Sequence, residues 1–352
     1  MTEIEGGNAD GGSRSDHSGC RKVDGSFPTV LSPERTQAVL RSPSSSWVGV
    51  TANAASGRGK SRVRVHRLVH DLRALGVKAR VAWSLEERGG LVSEASSDPT
   101  CKCLVAVGGD GTVAALINEG PCVPITVLPT GTENLFARHF HLSRNPASLA
   151  RTVVNGRSVP LDLGITQDGK RFALMAGFGF DAEVVTRHHL TRIGLAGVPR
   201  PTSRSAYVEP VLQSSFRYGF PAMSVEIKDK GQEERLEGST VFVFNLPSYA
   251  LNLPFAPDAK GDDGSLDLIV FREPGPFQAL RYLWLVIRGL HLKRPGVEHR
   301  RVKNLVISTT DRVPVQLDGD PGGYLEGGTA SAWTINVLPK AVRVVVPAQR
   351  PK

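Results

Sequence analysis

The stretch CLVAVGGDGT at residues 103–112 decides the fold class. Its first five residues form a short continuous apolar run, which is typical of a strand buried in the centre of a parallel sheet. The glycine-rich turn Gly108–Thr112 follows directly, and apolar residues at helical spacing follow from Val113 to Ile117. Strand, tight turn and helix in this order form half of a βαβ unit, so the stretch predicts a parallel sheet with crossover helices.

The neighbouring stretches repeat this pattern. Residues 47–52 and 77–83 read as strands, and the segment between them carries apolar residues at helical spacing from Val65 to Leu75. Residues 124–129 predict a further strand, and two helices, at 134–140 and 147–155, follow it. The pattern predicts an α/β domain over residues 46–157, preceded by a leader at 1–45 whose Gly, Ser and charged residues predict disorder.

The pattern changes near Ser158, where strand-like runs separated by Asp-Gly turns become dominant. This pattern of short strands and turns indicates an antiparallel β sandwich over residues 158–348, interrupted by one helix at 276–292. The predicted strands lie at 159–166, 171–178, 221–228, 239–246, 265–272, 303–309, 313–318 and 332–347. The fold class is therefore α/β, with a parallel-sheet domain followed by a β-rich sandwich domain.

The composition indicates which partners, metal sites and cellular location to expect. The 352 residues carry a formal net charge of +9, which favours anionic partners such as phosphates and acidic lipid surfaces. None of the four cysteines belongs to a Cys-x-x-Cys pair, which argues against a structural zinc site. The sequence shows no apolar signal region and no run of about 18 apolar residues, so a cytoplasmic location is expected.

The loop Gly108–Thr112 has the properties of a phosphate cradle. Glycines let backbone N–H groups approach an anion, and the helix that follows contributes partial positive charge at its N-terminus. Two further loops, Asn53–Gly59 and Pro129–Asn134, leave the same edge of the predicted sheet. A tight turn with an N-capping side chain would explain a bare Gly-Gly pair, but the five-residue run in this context favours phosphate binding. No Walker A or dinucleotide fingerprint is present.

Several motifs together resemble the diacylglycerol kinase family of lipid kinases in its bacterial form, which is related to sphingosine and ceramide kinases. Gly108–Thr112 is similar to the Gly-Gly-Asp-Gly-Thr signature of that family, which NAD kinases and phosphofructokinases share. The combination is more specific, and it includes Ala52–Gly57, Pro129–Arg138, Leu161–Gly164 and Gly177–Val184. The resemblance covers roughly residues 47–345.

The resemblance implies an α/β nucleotide domain, a β-rich domain and an active site in the cleft between them. It implies that ATP lies on the three loops and that Asp110 and Asp181 belong to a polar network near the phosphates and magnesium. The implied nucleotide-binding residues are Asn53, Ser56, Gly57, Gly108, Gly109, Asp110, Gly111, Thr112, Thr132 and Asp181.

Two C-terminal segments carry further implied roles. The resemblance makes Asp320, at the end of Gln316–Asp320, the general base that takes the proton of the acceptor hydroxyl. It also implies a structural Mg²⁺ ion at the loop 260–265, held by the carboxylate of Asp263 and the backbone carbonyls of Lys260 and Ser265. A plain Asp-Gly hairpin turn is the simpler interpretation of that loop.

Some residues depart from the family pattern. Ala114 and Ala115 stand where the family often has Asn-Glu, Ala54 replaces the proline of the first loop, and Ala82-Trp83 replaces a nucleotide-binding threonine position. These departures put the detailed ATP contacts in question, and they motivate the hypothesis of a non-catalytic relative that binds nucleotide or lipid.

The main prediction is an ATP-dependent kinase that phosphorylates a lipid hydroxyl, diacylglycerol-like or related, at a membrane surface. A soluble-substrate kinase of the NAD kinase type explains Gly108–Thr112 equally well but leaves Pro129–Arg138 and Asp318–Asp320 unexplained. The basic, amphipathic segment 276–292 and the basic segment 187–204 are candidates for peripheral membrane contact, although a packed helix with a solvated face is slightly favoured for the first. Nucleic acid is not expected as a partner, and a homodimer is kept as an option.

Overall fold

The computed structural model describes residues 46–52, 61–193, 217–229, 232–247, 249, 253–328 and 332–349. In this part of the chain, no helix is long and apolar enough to cross a bilayer.

Strands and helices alternate in the first half of the described chain. The elements are β1 (Trp47–Ala52), α1 (Ser61–Ala74), β2 (Lys78–Ala82), α2 (Leu85–Ser97), β3 (Cys101–Gly108), α3 (Asp110–Asn118), β4 (Ile125–Pro129), α4 (Leu135–His139) and α5 (Pro146–Asn155). The four strands pair in parallel in the order β2-β1-β3-β4, and every residue of β3 is buried. The strand order reverses direction between β1 and β3, and ligands of open α/β sheets bind at such a point, beyond the carboxyl ends of the strands.

The second half of the chain is mostly antiparallel. Its elements are β5 (Arg157–Thr166), β6 (Arg171–Phe172), β7 (Met175–Gly179), α6 (Phe180–Ile193), β8 (Met223–Asp229), β9 (Gln232–Gly238), β10 (Thr240–Phe244), β11 (Leu266–Phe271), α7 (Pro276–Ile287), β12 (Val297–Val302), β13 (Asn304–Thr309), β14 (Val313–Leu317), β15 (Asp320–Leu325) and β16 (Ala332–Val346). The fold class predicted from the sequence is confirmed: a parallel α/β domain precedes an antiparallel sandwich.

The long strand β16 joins the two halves. It pairs in parallel with β4 at Val344 and Ile125, and it pairs antiparallel with β5 and β13. One sheet therefore runs β2-β1-β3-β4-β16-β13-β8-β9, while a second runs β12-β11-β10-β7-β14-β15. The sheets pack face to face, with the rings of Phe178 and Trp333 meeting edge-on at 5.8 Å.

Two predicted elements are shorter in the structure. The strand run 171–178 is divided between β6 and β7, because a buried carboxylate binds the backbone amides of residues 173–175. The helix expected at 276–292 ends at Ile287, and Gly289 adopts the left-handed conformation (φ 63°) that stops it. A short 3₁₀ turn, His291–Lys293, follows.

Four elements of the structure were not predicted from the sequence. Helix α2 contains a glycine pair, β9 and β12 are rich in charged residues, and β15 contains Pro321 and two glycines. Long-range contacts hold them: for example, Arg300 on β12 forms an ion pair with Glu234 on β9 at 2.8 Å. Tertiary pairing overrides local propensity in such strands.

Candidate active site

The glycine-rich turn sits at the carboxyl end of β3, where helix α3 begins. Gly109 is the N-cap residue and Asp110 opens the helix. A Cβ atom on Gly108 would lie 1.9 Å from Thr112 Oγ1, so only glycine allows the helix to fold back this closely on the strand. The turn thus has the strand, glycine and helix N-terminus expected of a phosphate cradle.

Asp110 links this turn to the next loop. Its carboxylate accepts hydrogen bonds from the backbone N–H groups of Leu135 and Phe136, both at 3.0 Å. It therefore caps the N-terminus of α4. Burial raises the pKa of Asp110, and the two backbone donors oppose that rise.

The loop after β4 packs directly against the glycine-rich turn. A Cβ on Gly131 would lie 2.7 Å from the Cα of Gly109, so the two backbones touch. Asn134, in the left-handed region at φ 52°, closes the loop: its Oδ1 accepts from Gly131 N at 2.9 Å and its Nδ2 donates to Gly131 O at 2.6 Å. Thr132 lies exposed on this loop, and its role in nucleotide binding stays a prediction.

Asp320 reaches the turn from the other half of the molecule. A Cβ built on Gly111 would lie 2.7 Å from Asp320 Oδ2, so this carboxylate lies against the first turn of α3. Asp320 opens β15 and is exposed. The structure therefore brings the predicted general base and the predicted phosphate loop together.

The hairpin that carries Asp320 is anchored by Asp318. This buried residue has φ 51°, and its carboxylate accepts from the N–H groups of Ala173, Leu174 and Met175 at 2.8, 2.7 and 3.0 Å. Burial raises the pKa of Asp318 to about 7, the three amides oppose the rise, and the charge of Asp110 adds to it.

Asp181, at the start of α6, forms a second polar cluster. Its carboxylate accepts from the hydroxyl of Tyr249 at 2.7 Å and from Nε2 of Gln316 at 3.0 Å. Oε1 of Gln316 accepts from the N–H of Gly319 at 2.8 Å, which connects Asp181 to the hairpin turn. Burial raises the pKa of Asp181 to about 6. The resemblance placed Asp181 near the phosphates, and this chain of bonds links it to the turn that precedes Asp320.

The loop 260–265 is built around a different carboxylate. Asp162 is fully buried, and it accepts from the backbone N–H groups of Gly264 and Lys340, both at 2.6 Å. Asn245 continues this network, since its Nδ2 donates to Asp162 O and to Ala173 O, each at 2.8 Å. Through Ala173, the loop is connected to the amides that hold Asp318.

The carboxylate of Asp263, a predicted metal ligand, has protein partners in this structure. Oδ1 of Asp263 accepts from Ser265 N at 3.1 Å, and Oδ2 accepts from the guanidinium of Arg301. Lys260 is exposed, and the described residues contain no group of three or more His, Cys, Asp or Glu side chains that could hold a metal. A cation bound at this loop would share the Asp263 carboxylate with Ser265 N and Arg301. This metal site stays a prediction.

Some site residues were not recognised from sequence, and some lie beyond the described chain. Asn53, Ser56 and Gly57 fall outside the described residues. The anchors Asp162, Asn245, Gln316 and Asp318 were not assigned to the site. The available signal was a charged or amide side chain inside or beside an apolar strand, since such groups require buried partners.

Comparison with known proteins identifies the family. Residues 48–166 match the diacylglycerol kinase catalytic domain, and residues 176–346 match the YegS C-terminal NAD kinase beta sandwich-like domain. The chain belongs to the diacylglycerol kinase family. The recognition made from the sequence motifs is confirmed, and the catalytic domain makes the protein a kinase.

Curated relatives in this family span most of the chain. The diacylglycerol kinase of Mycobacterium tuberculosis is 28% identical over 310 residues, which cover 85% of this chain and 95% of the relative. That of Staphylococcus saprophyticus is also 28% identical, over 258 residues, 70% of this chain and 80% of the relative.

Solved structures support the same fold. Two crystal structures of proteins assigned as diacylglycerol kinases from Bacillus anthracis align with TM-scores of 0.65 and 0.59, at 22% and 18% identity. The alignments cover 85% of this chain and 94% and 96% of theirs. At these identities the likeness concerns the fold alone.

Proposed function

We propose that the protein is an ATP-dependent lipid kinase that phosphorylates a hydroxyl group of a diacylglycerol-like or related lipid. The observation that carries the proposal is the contact between Asp320 and Gly111, because it places a carboxylate beside the loop that is suited to phosphates. The kinase family supplies the reaction type. The names of the curated relatives suggest the lipid class.

In the proposed reaction, the carboxylate of Asp320 accepts the proton of the acceptor hydroxyl. The hydroxyl oxygen forms a bond to the γ-phosphorus of ATP while the bond between that phosphorus and the β–γ bridging oxygen breaks. The products are ADP and a lipid phosphate ester. Backbone N–H groups at the start of α3 orient and neutralise the transferred phosphoryl group.

Magnesium enters this proposal with the nucleotide. Mg²⁺ bound to ATP would neutralise charge that develops on the phosphates. By the family resemblance, Asp110 and Asp181 belong to the polar network near the phosphates and magnesium, and carboxylate oxygens are the hard donors that Mg²⁺ prefers. Asp181 and Gln316 keep the hairpin turn in position, because both belong to the hydrogen-bond chain that ends at Gly319.

Incubation of the protein with labelled ATP and either a lipid extract or NAD tests the substrate class. A labelled product that partitions into the organic phase supports the proposal, and mass analysis of a lipid panel then identifies the acceptor. A labelled NAD product would instead support the soluble-substrate alternative. Absence of transfer to any acceptor would support the non-catalytic alternative. We also propose that the protein associates peripherally with the membrane. The formation of a homodimer and the domain boundaries at residues 45/46 and 157/158 stay predictions.

A further inference from the structure

Helix α7 exposes an unusual number of large apolar side chains. Of the nine exposed large hydrophobic residues in the described part of the chain, four lie on this helix. They are Phe277, Leu280, Trp284 and Ile287, with exposed fractions of 81, 41, 53 and 57%. The spacing of three, four and three residues places them on a single face, which we call the α7 outer face.

The opposite face of α7 is part of the core. Tyr282, Leu285 and Val286 are buried, and the ring of Tyr282 lies 4.7 Å from that of Phe271. The helix is therefore held firmly while its outer face remains apolar. Packing against the core accounts for the apolar character of Tyr282, Leu285 and Val286. It does not account for the apolar character of the outer face.

Several cations lie on α7 and in the segment that follows it. Residues 276–296 contain four cations, Arg281, Arg288, Lys293 and Arg294, and no acid. The guanidinium of Arg288 lies 5.7 Å from the ring of Trp284, and Lys293 and Arg294 are exposed. The nearby acids already have cationic partners, since Glu273 pairs with Arg281 and Glu298 with Arg272 and Arg300.

The helix is also connected to the candidate active site. Aromatic rings form a path from Tyr282 through Phe271 and Phe255 to Tyr249, with centroid distances of 4.7, 6.4 and 5.5 Å. The hydroxyl of Tyr249 donates to Asp181. The α7 outer face thus lies on the outside of an aromatic cluster whose inner end reaches the site.

We propose that the α7 outer face is a docking surface for an anionic lipid bilayer, with its apolar side chains in the interfacial region and its cations on the headgroups. An amphipathic helix with aromatic and aliphatic residues on one face and flanking cations has the chemistry for this. A second copy of the chain is a poor occupant, because it would bring the exposed cations Arg288, Lys293 and Arg294 of both copies together. The inference rests on the proposed function, since a lipid acceptor requires the enzyme to reach a bilayer.

Vesicle sedimentation tests this surface. The full chain is mixed with vesicles of neutral phosphatidylcholine and with vesicles of phosphatidylcholine and phosphatidylglycerol in equal amounts. We expect binding to the anionic vesicles, weakened by salt, together with a blue shift of tryptophan emission. Trp284 dominates that shift because Trp47 and Trp333 are buried and Trp83 is only partly exposed.

Two pairs of variants separate the apolar and ionic contributions. The double variant Phe277→Glu, Trp284→Glu should lower the vesicle partition coefficient at least about tenfold, since two large apolar groups leave the interface. The double variant Arg288→Ala, Arg294→Ala should lower it about fivefold for each charge removed, on anionic vesicles only. The matched controls are Leu85→Glu, another highly exposed apolar residue, and Arg312→Ala, an exposed arginine on a different surface. Both controls should bind as the unaltered chain does.

The outcomes distinguish this inference from the proposed function. Equal vesicle binding by the Phe277/Trp284 variant, with an unchanged thermal transition, would overturn the docking surface. So would sedimentation of the free protein as a dimer that this variant disrupts. Phosphorylation of a short-chain lipid in detergent by that variant, at the rate of the unaltered chain, would show that the site is intact. Vesicle binding without phosphorylation of any lipid would leave the surface standing and remove the proposed function.

Discussion

Gly111 and Asp320 come from different halves of the chain and meet at the first turn of α3. The contact explains why a residue without a side chain stands at the second position of this helix, where glycine is otherwise unfavourable. The motif Gly108–Thr112 was recognisable from sequence because its glycines have a local purpose. Its contact with Asp320 was not, because only the complete fold brings the two segments together.

Gly111→Ala should lower turnover without unfolding the protein. The added Cβ would overlap Asp320 Oδ2, the end of a side chain that can rotate away, so the carboxylate would leave its position. We expect kcat to fall at least about tenfold, since misplacement of a reacting group by an ångström has large effects. The thermal midpoint should change little.

The matched control is Gly90→Ala, in helix α2, where an added Cβ meets no atom within 4 Å. It should keep full activity and gain slightly in stability, because alanine is the better helix former. Unchanged kcat in Gly111→Ala would mean that the Asp320 contact has no catalytic importance.

The β14–β15 hairpin owes its position to one buried side chain. Asp318 adopts a left-handed conformation and binds three consecutive backbone N–H groups across the sheet. From sequence, Asp318-Gly319 indicated only a turn, and residues 171–178 indicated an unbroken strand. Both predictions were incomplete for the same reason. The backbone N–H groups of residues 173–175 donate to the Asp318 carboxylate instead of a neighbouring strand.

Asp318→Ala should destabilise the protein by about 3 kcal/mol or more, since three buried N–H groups lose their acceptor. Urea unfolding followed by fluorescence measures this loss. Asp311→Ala, an exposed aspartate before β14, serves as the control and should change stability by less than about 0.5 kcal/mol. Equal stabilities of the two variants would show that Asp318 is not an anchor.

The start of helix α6 should make stability depend on pH through Asp181. Burial raises the pKa of this carboxyl group from 3.8 to about 6, so the folded protein binds its proton more tightly than the unfolded chain does. The contribution of Asp181 to stability should therefore fall as pH rises from about 4 to about 6 and stay lower above that range.

Asp181→Asn removes the titrating group while keeping a similar shape. Unfolding free energies measured across the window from pH 4 to about 6 should fall less steeply with pH in this variant than in the unaltered protein. Asp311→Asn, which removes an exposed carboxyl group, serves as the control. Equal slopes for the unaltered protein and Asp181→Asn would contradict a raised pKa at this position.

Two features connect the halves of the molecule. Strand β16 connects them by backbone pairing, and Asp320 connects them by a side chain that lies against helix α3. The sequence predicted the α/β half and the β-rich half, because strand periodicity and turn residues are local signals. The pairing of β16 with β4, β5 and β13 could not be read, because it depends on contacts between distant segments. The buried supports Asp162, Asn245 and Asp318 could not be predicted for the same reason, since each binds backbone groups of a distant segment.

In the proposed function, the β-rich half delivers the catalytic carboxylate to a phosphate loop in the α/β half. The most direct test of this proposal is Asp320→Asn, assayed for lipid phosphorylation and for ATP binding, with Glu326→Gln, an exposed acid just after β15, as the control. We predict that Asp320→Asn lowers kcat by about 10²–10⁴-fold, leaves the Kd for ATP close to its original value and does not unfold the protein, while the control stays active. Full turnover in a folded Asp320→Asn protein would contradict the role of Asp320 as the general base.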